Sequence, residues 1–267
     1  MVNYEAYRYL VDVSCKLNHN NKKENDKYFV WCKDCNEINL WTYWQGKDSK
    51  DVKIMVVGQD WGNPGLLKNE QTMANIKNNG SYFYNSSINS ENVYPTDRNL
   101  SSLFEHLGYK DIISNKYDDL FFTNFYLKYR TDKIKETGYM SRTNMMRDKD
   151  NFKELVADIN PKIIICLGKL TYECVVEALD PTKKIRIKNI SEYCDLIEEG
   201  KNITEIGDIG IFGMVHCGAT GVNINRKKGS KADKDKRGIE LMIDDWEKVS
   251  NYIREKSIEL DTNPKIL

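Results

Sequence analysis

Continuous apolar runs recur along the chain, and each ends at a glycine or a polar residue. They have the length of a strand, and an apolar run without alternation is typical of a strand that is buried on both faces. Such runs occupy residues 53–57, 119–130, 162–168 and 209–216. We therefore predict a buried β-strand in each of these four segments.

Apolar residues at helical spacing occupy much of the remaining chain. One predicted helix starts at Thr96 or Asp97, either of which is a suitable cap, and stops at Gly108. The other predicted helices cover residues 1–18, 151–159, 169–179 and 239–255. Long segments with the composition of loops cover residues 68–95, 130–150 and 217–237, whereas residues 181–208 have no clear pattern.

The alternation of strands and helices predicts an α/β fold of three α/β/α layers. Its central sheet is expected to be mainly parallel, with about four strands and helices on both faces. A length of 267 residues fits one domain with loop insertions. We expect a single domain over residues 1–267, with residues 1–50 forming a helical subregion, containing a CxxC motif, that packs on it.

Three of the predicted strands deliver a polar side chain at or just beyond their ends. Asp60 follows the first strand, Asn124 lies in the second, and His216 ends the fourth. Each residue alone also fits a structural role, as a turn former, a backbone partner or a structural histidine. Ligands of parallel sheets gather beyond the carboxyl ends of the strands. The convergence of the three side chains at that edge therefore predicts a functional site.

Charge and composition exclude several classes of protein. Lys and Arg together number 40, as do Asp and Glu, so net charge indicates no partner and a nucleic-acid binder would need a local basic cluster. The sequence contains no P-loop, GxSxG or HExxH motif, and residues 58–65 do not match GxGxxG. No segment resembles a signal peptide or a membrane span, so we expect a cytoplasmic, monomeric protein.

The cysteines do not predict a disulfide framework. There are seven of them, and only Cys32 and Cys35 form a close pair, in a CxxC motif. A tetrahedral metal site needs two further ligands, and no second pair supplies them. The pattern favours free thiols and no cofactor, with a metal at Cys32 and Cys35 as the alternative.

The order of the motifs resembles the uracil-DNA glycosylase superfamily over residues 52–225. GQDWG resembles the first motif of that superfamily, whose best-known form is GQDPY and whose other forms have Gly in place of Tyr. FFTNFYLKYR resembles the strand that carries the base-reading Asn, INPKIIICLG resembles its Pro-led strand, and MVHCGATG stands where the superfamily has His-Pro-Ser. The chain departs from these patterns at Trp61 and at Cys217–Gly218.

The resemblance implies a monofunctional DNA glycosylase that flips a base out of DNA and hydrolyses its N-glycosidic bond. The expected base is uracil or a 5-modified pyrimidine, such as a modified cytosine of viral DNA. Asp60 would position water and offset positive charge on the sugar, and His216 would donate to the departing base. The amide of Asn124 would read one edge of the base. No lysine occupies a strand end near these residues, so no lyase step is expected.

Further residues follow from the same comparison. Gln59 and Gly62 are expected to line the base pocket, where Gly62 leaves the pyrimidine 5-position open, and Tyr94 or Phe83 would stack on the base. Base flipping needs an apolar wedge and phosphate contacts. The apolar candidates for the wedge are Val222 and Ile224. The predicted phosphate contacts are Arg226, Lys227 and Lys228, with a solvated loop as the alternative.

Two other functions remain open at this stage. One is a nucleic-acid-binding relative with altered catalysis, in which Trp61 fills part of the pocket, and the other is a nucleotide-processing α/β enzyme. The carboxylate of Asp60 favours catalysis over binding alone, and the basic loop favours polymeric DNA over free nucleotides. The sequence does not distinguish single-stranded from double-stranded DNA.

Overall fold

A computed structural model of the protein describes residues 51–60, 95–112, 115, 117–126, 140–227 and 235–264, and the backbone of residues 29–30 and 129–130. The strands are β1 (Phe29–Val30), β2 (Ile54–Gly58), β3 (Leu120–Asn124), β4 (Tyr129–Arg130), β5 (Ile163–Leu167), β6 (Ile203–Ile206) and β7 (Ile209–Met214). The α-helices are α1 (Pro95–Glu105), α2 (Arg142–Met145), α3 (Lys149–Ile159), α4 (Lys169–Leu179), α5 (Ile190–Glu198) and α6 (Gly238–Glu255). A 3-10 turn covers Met146–Asp148, and a π-helix covers Gly221–Arg226.

The central sheet has five strands in the order β3-β2-β5-β7-β6. The pairs β2–β3, β2–β5 and β5–β7 are parallel, and only β6 runs antiparallel, against β7. The predicted α/β fold with a mainly parallel sheet is therefore confirmed. The separate pair β1–β4 is antiparallel.

Helices cover both faces of the sheet because every residue of its central strands is apolar. Met55 and Val57 point to one face, into a core shared with α3, α4 and α5. Ile54 and Val56 point to the other face, into a core shared with α1 and α6. These four side chains are at most 2% exposed. The alternation of successive side chains across a strand thus produces the three expected layers.

The structure differs from the predicted elements in several places, among them the π-helix within the predicted loop 217–237. Residues 181–208, for which the sequence shows no clear pattern, contain α5 and β6. The pattern is unclear because β6 is a short antiparallel edge strand with an exposed glutamate, and it lacks the apolar run of a central strand. The predicted loop 130–150 contains α2, which Ser141 caps. Helix α1 begins at Pro95, so Thr96 and Asp97 both lie inside its first turn and neither caps it.

Several predictions fall outside the described residues. They concern the helix over residues 1–18, the CxxC subregion and most of the excursion over residues 68–95. Within the part of the chain that the structure describes, no helix has the length and apolar character needed to span a membrane.

Candidate functional site

The three predicted residues lie at the carboxyl ends of the parallel strands. Asp60 follows β2, Asn124 ends β3 and His216 follows β7 by two residues. The chain passes from β2 to β3 on one side and then to β5 on the other side of β2. This change of direction creates the crevice in which ligands bind in open α/β sheets.

Gly58 makes room for the side chain of Asn124. The two residues are partners in the β2–β3 register, and a Cβ atom at Gly58 would overlap the amide oxygen of Asn124. Backbone hydrogen bonds continue past the strand ends, from Phe125 N to Gly58 O at 2.9 Å and from Tyr126 N to Gln59 O at 3.0 Å. The glycine of the GQD motif therefore seats Asn124 at the sheet edge.

Gln59 orients the carboxylate of Asp60. Its amide nitrogen donates to Oδ2 of Asp60 at 2.7 Å. The role predicted for Gln59 was base binding, and in the structure its amide nitrogen is used to hold a neighbouring carboxylate. Both residues are half-buried, so the carboxylate stays partly accessible at the strand end.

His216 is held as a neutral imidazole with a defined tautomer. The backbone N–H of Gly218 donates to Nδ1 of His216 at 3.0 Å, so Nδ1 is an acceptor and the proton of the neutral ring is on Nε2. Loss of surrounding water lowers the pKa of His216, although the residue keeps an exposed surface and the charge of Asp60 acts in the opposite direction. The ring is therefore a hydrogen-bond donor through Nε2 at neutral pH.

Two glycines allow the loop after β7 to fold against His216. A Cβ atom at Gly218 would lie 3.0 Å from Nδ1 of His216 and 3.2 Å from Oγ1 of Thr96. A Cβ atom at Gly221 would overlap the carbonyl oxygen of His216. The spacing of glycines in CGATG is thus the sequence signal for a loop that closes tightly around the histidine.

The first turns of α1 contribute residues to this edge that the motif comparison did not identify. Asn99 donates through Nδ2 to the carbonyl oxygen of Cys217 at 2.8 Å. Asp97 is 8% exposed. Burial raises its pKa to about 7, although a hydrogen bond from its own backbone lowers the pKa in part. Burial also raises the pKa of the Cys217 thiol to about 12, with a smaller effect of the Asp97 charge, so this thiol is neutral.

The two predicted wedge residues have opposite environments. Val222 is 4% exposed and packs in the core between the sheet, α1 and α6, so it does not fit the role of a wedge. Ile224 is 49% exposed, as a wedge must be, and its role stays a prediction. The difference arises from the π-helix, whose geometry directs Val222 into the core and Ile224 toward solvent.

Arg226 is buried in an ion pair, an environment that does not favour the phosphate contact predicted for it. Its side chain is 2% exposed. It donates from Nε and Nη2 to the carboxylate of Asp245 at 2.7 and 3.0 Å, and from Nη1 to Glu198 at 2.8 Å. The π-helix directs this arginine between α5 and α6, where its charge is neutralised within the protein.

Lys227 lines a cleft of about 560 Å³ beside the strand edge. Arg98 and Arg237 also line it, as do Asn99 and backbone at the start of α6. Asp60 and His216 are not among its lining residues. Because α1 and α6 both begin at the cleft and three basic side chains border it, its electrostatic character favours an anion.

Further predicted residues lie outside the described part of the chain. They are Gly62, Tyr94, Phe83 and Lys228, together with Trp61 and the cysteines Cys32 and Cys35. Among the described residues, no group of three or more His, Cys, Asp or Glu is arranged so that it could hold a metal. Four cysteines in these ranges, Cys166, Cys174, Cys194 and Cys217, are free and buried.

Comparison of the chain with models of known protein families and with curated proteins finds no match. A functional assignment therefore depends on the motif resemblance and on the chemistry of the strand edge. The relevant chemistry is a partly accessible carboxylate at Asp60, a neutral His216 whose proton is on Nε2, and the amide of Asn124 at the end of the outermost parallel strand.

Proposed function

We propose that the protein is a monofunctional DNA glycosylase that hydrolyses the N-glycosidic bond of uracil or of a 5-modified pyrimidine in DNA. The observation that carries the proposal is the presence of the Asp60 carboxylate at the same sheet edge as a neutral His216 whose Nδ1 accepts from Gly218 and whose proton is therefore on Nε2. A cytoplasmic location and a monomeric state belong to the same proposal.

The chemistry requires two groups of opposite character. When the bond between the sugar C1′ and the base nitrogen breaks, its electron pair leaves with the base, and the sugar becomes an oxocarbenium ion. Water then adds to C1′ and loses a proton, which the departing base anion finally takes up through solvent. A carboxylate near the sugar stabilises positive charge and orients this water, while a neutral donor stabilises negative charge on a base oxygen.

Asp60 and His216 supply these groups in the proposed mechanism. Gln59 fixes the carboxylate through its amide nitrogen, so Asp60 does not have to reorient during the reaction. The lowered pKa of His216 keeps its ring neutral. A neutral hydrogen-bond donor suits a leaving base that is itself only a weak acid. The carboxylate and the imidazole thus have separate roles, set by their separate surroundings.

Asn124 supports recognition of a base at this edge. Its amide offers one donor side and one acceptor, which together read a directional pattern on a base. The close fit over Gly58 limits where the amide can lie. Uracil is favoured by the stability of its anion, whereas Gly62, which has no side chain to exclude a substituent at the pyrimidine 5-position, favours substituted pyrimidines. Both bases are kept in the proposal.

Two features support a DNA substrate over a free nucleotide. Ile224 is a large exposed apolar side chain on the π-helix that follows His216, and extrusion of a base costs a few kcal/mol that a wedge can offset. The cleft beside the edge is bordered by Arg98, Lys227 and Arg237. Because Asp60 and His216 do not line this cleft, basic groups that border it suit a substrate that extends beyond one nucleotide.

A panel of oligonucleotides with one altered base each tests the proposal. The panel contains uracil and several 5-substituted pyrimidines, in single-stranded and double-stranded form, and alkali cleavage reveals each lost base. We expect base release by the wild type. Asp60→Asn should bind DNA normally but release base more slowly by orders of magnitude. His216→Ala should lose about 10²- to 10³-fold in rate, the effect of removing one donor to a developing anion.

Matched controls are available at distant positions. Asp208→Asn changes an exposed carboxylate in the turn between β6 and β7, at the opposite end of β7 from His216, and His106→Ala changes an exposed histidine after α1. Both should keep the wild-type rate.

DNA binding without base release from any oligonucleotide would favour a catalytically altered binder. Activity confined to free nucleosides or nucleotides would favour a nucleotide-processing enzyme, and either result rejects the proposal.

A further inference from the structure

One peptide group connects helix α1 to the imidazole of His216. The carbonyl oxygen of Cys217 accepts a hydrogen bond from Nδ2 of Asn99 at 2.8 Å. The N–H of the same peptide group, which belongs to Gly218, donates to Nδ1 of His216 at 3.0 Å. The amide of Asn99 and the ring of His216 thus lie at the two ends of one hydrogen-bonded chain.

This arrangement affects both the strength and the direction of the bond to His216. A peptide whose carbonyl accepts a hydrogen bond is polarised, and its N–H becomes a better donor, by roughly 10–30% per bond. The plane of the peptide is also fixed from both sides, because rotation would break one bond or the other. Each effect favours the tautomer of His216 that accepts at Nδ1 and keeps its proton on Nε2.

Helix α1 is a rigid support for Asn99. Its apolar residues Leu100, Leu103 and Phe104 are at most 1% exposed and belong to the core beneath the sheet. Thr96 in the same helix approaches the Cα of Gly218 so closely that a Cβ there would lie 3.2 Å from its hydroxyl oxygen. The loop after β7 is therefore held against a helix that cannot move independently of the core.

The residue type at position 99 agrees with a role outside the helix. Asparagine is a weaker helix former than alanine because its side chain competes for backbone groups. Here the side chain bonds a carbonyl 118 positions away in the sequence, and not one of its own helix. The stability of helix α1 therefore does not explain why residue 99 is an asparagine.

We propose that Asn99 is a positioning residue that holds His216 with its proton on Nε2, by way of the Cys217–Gly218 peptide. Asn99 also lines the cleft, but its Nδ2 donates to the carbonyl oxygen of Cys217, so the role assigned to it acts through this peptide and not by contact with a substrate. The effect on catalysis rests on the proposed glycosylase function, whereas the effect on the tautomer does not. The two can be tested separately.

Nitrogen NMR of the histidine rings in the free protein measures the tautomer and the pKa directly. The chain has only three histidines, at positions 19, 106 and 216, and a His216→Gln variant assigns the signal. In Asn99→Ala we expect a smaller share of the Nε2-protonated tautomer. The pKa of His216 should rise by about half to one pH unit, the effect of weakening one neutral hydrogen bond.

Two more variants make the result specific. Asn99→Asp keeps the size of the side chain but removes its donor, so it should also raise the pKa of His216, and it replaces the alanine variant if that protein does not fold. Asn115→Asp is the matched control, because Asn115 also donates through Nδ2 to a backbone carbonyl, that of Lys110 at 2.9 Å. The control should leave the tautomer and the pKa of His216 unchanged.

The outcomes separate this proposal from the proposed function. If folded Asn99→Ala keeps the wild-type tautomer and pKa, the positioning role is overturned, whatever the activity. If the histidine responds as expected but the wild type releases no base, only the glycosylase proposal fails. In an active protein, the acid side of the pH–rate profile should shift upward with the pKa while DNA affinity is kept. Loss of DNA affinity with an unchanged tautomer would show that Asn99 contacts the ligand directly and would overturn the proposal.

Discussion

Replacement of Arg226 by methionine should destabilise the fold strongly. The variant keeps the apolar part of the side chain and removes the charge that faces Asp245 and Glu198. The side chain of Asp245 is 3% exposed, so its carboxylate would stay buried after losing both hydrogen bonds from Arg226 and would keep only Lys248, whose Nζ lies 3.8 Å from Oδ1. The side chain of Glu198 is 21% exposed and retains water. Removal of one member of such a buried pair costs about 3–5 kcal/mol.

The penalty should depend on pH. Burial raises the pKa of Asp245, and the hydrogen bonds and charge of Arg226 lower it again in part. Without Arg226 the folded-state pKa of Asp245 rises further above its value in the unfolded chain. A group of this kind loses stability as pH rises, because the unfolded state releases its proton first. Arg226→Met should therefore be more harmful at pH 8 than at pH 5.

Urea unfolding followed by circular dichroism measures the effect. With a slope of about 3 kcal/mol per molar urea, a loss of 3–5 kcal/mol lowers the midpoint by about 1–2 M. Arg254→Met is the matched control, because the side chain of Arg254 is 65% exposed and pairs with Glu247 on the surface. Exposed pairs contribute about 0–1 kcal/mol, so the control should unfold near the wild-type midpoint.

The competing role of Arg226 predicts a different result. A phosphate contact would leave urea unfolding unchanged and would reduce the log–log salt slope of duplex binding by about 0.9. Wild-type stability of Arg226→Met together with that change in slope would refute the buried ion pair. For Lys227→Met, by contrast, the reduced salt slope is the expected result, because Lys227 lines the cleft.

Two further predictions concern Asp97 and Gly58. The pKa of Asp97 rises from 3.8 to about 7 in the fold, so the protonated form of Asp97 stabilises the folded state. This stabilisation is lost as pH rises from about 4 to about 7, and the loss is at most about 4 kcal/mol of unfolding free energy. Asp97→Asn should therefore match the wild type in urea at pH 4 and exceed it at pH 8; a pH-independent difference between the two proteins would contradict the buried, protonated carboxyl. Gly58→Ala should displace the amide of Asn124, cost about 1–3 kcal/mol through overpacking, and suppress base release in the oligonucleotide assay while DNA binding persists. A wild-type rate for this variant would mean that Asn124 does not read the base from its position over Gly58.

Local pattern determined the strands and the edge at which they end. The side chains of an apolar run such as residues 53–57 leave water only if both faces of the strand are buried. The sequence therefore predicted a central strand of a parallel sheet. Because parallel strands place their carboxyl ends at one edge, the common edge of Asp60, Asn124 and His216 also followed from order in the chain. The antiparallel edge strand β6 was missed because its half-buried, charged residues have no such constraint.

Only the tertiary structure determined what the loop after His216 does. The run Arg226–Lys228 is basic throughout, and sequence alone assigned its members one role. In the fold, the π-helix turns Arg226 into a buried ion pair and leaves Lys227 at a cleft. The direction of a side chain depends on the backbone geometry that packing selects, and the local sequence does not encode that choice.

The support of His216 depends on contacts between distant parts of the chain. Asn99 and Cys217 are 118 positions apart, and nothing in either local pattern indicates that they meet. The burial that raises the pKa of Asp97 likewise exists only when α1 packs beside the loop after β7. The sequence by itself determined which residues could do chemistry at the sheet edge. Packing determined which of them are held, neutralised or exposed, because those properties belong to neighbours that only the folded chain brings together.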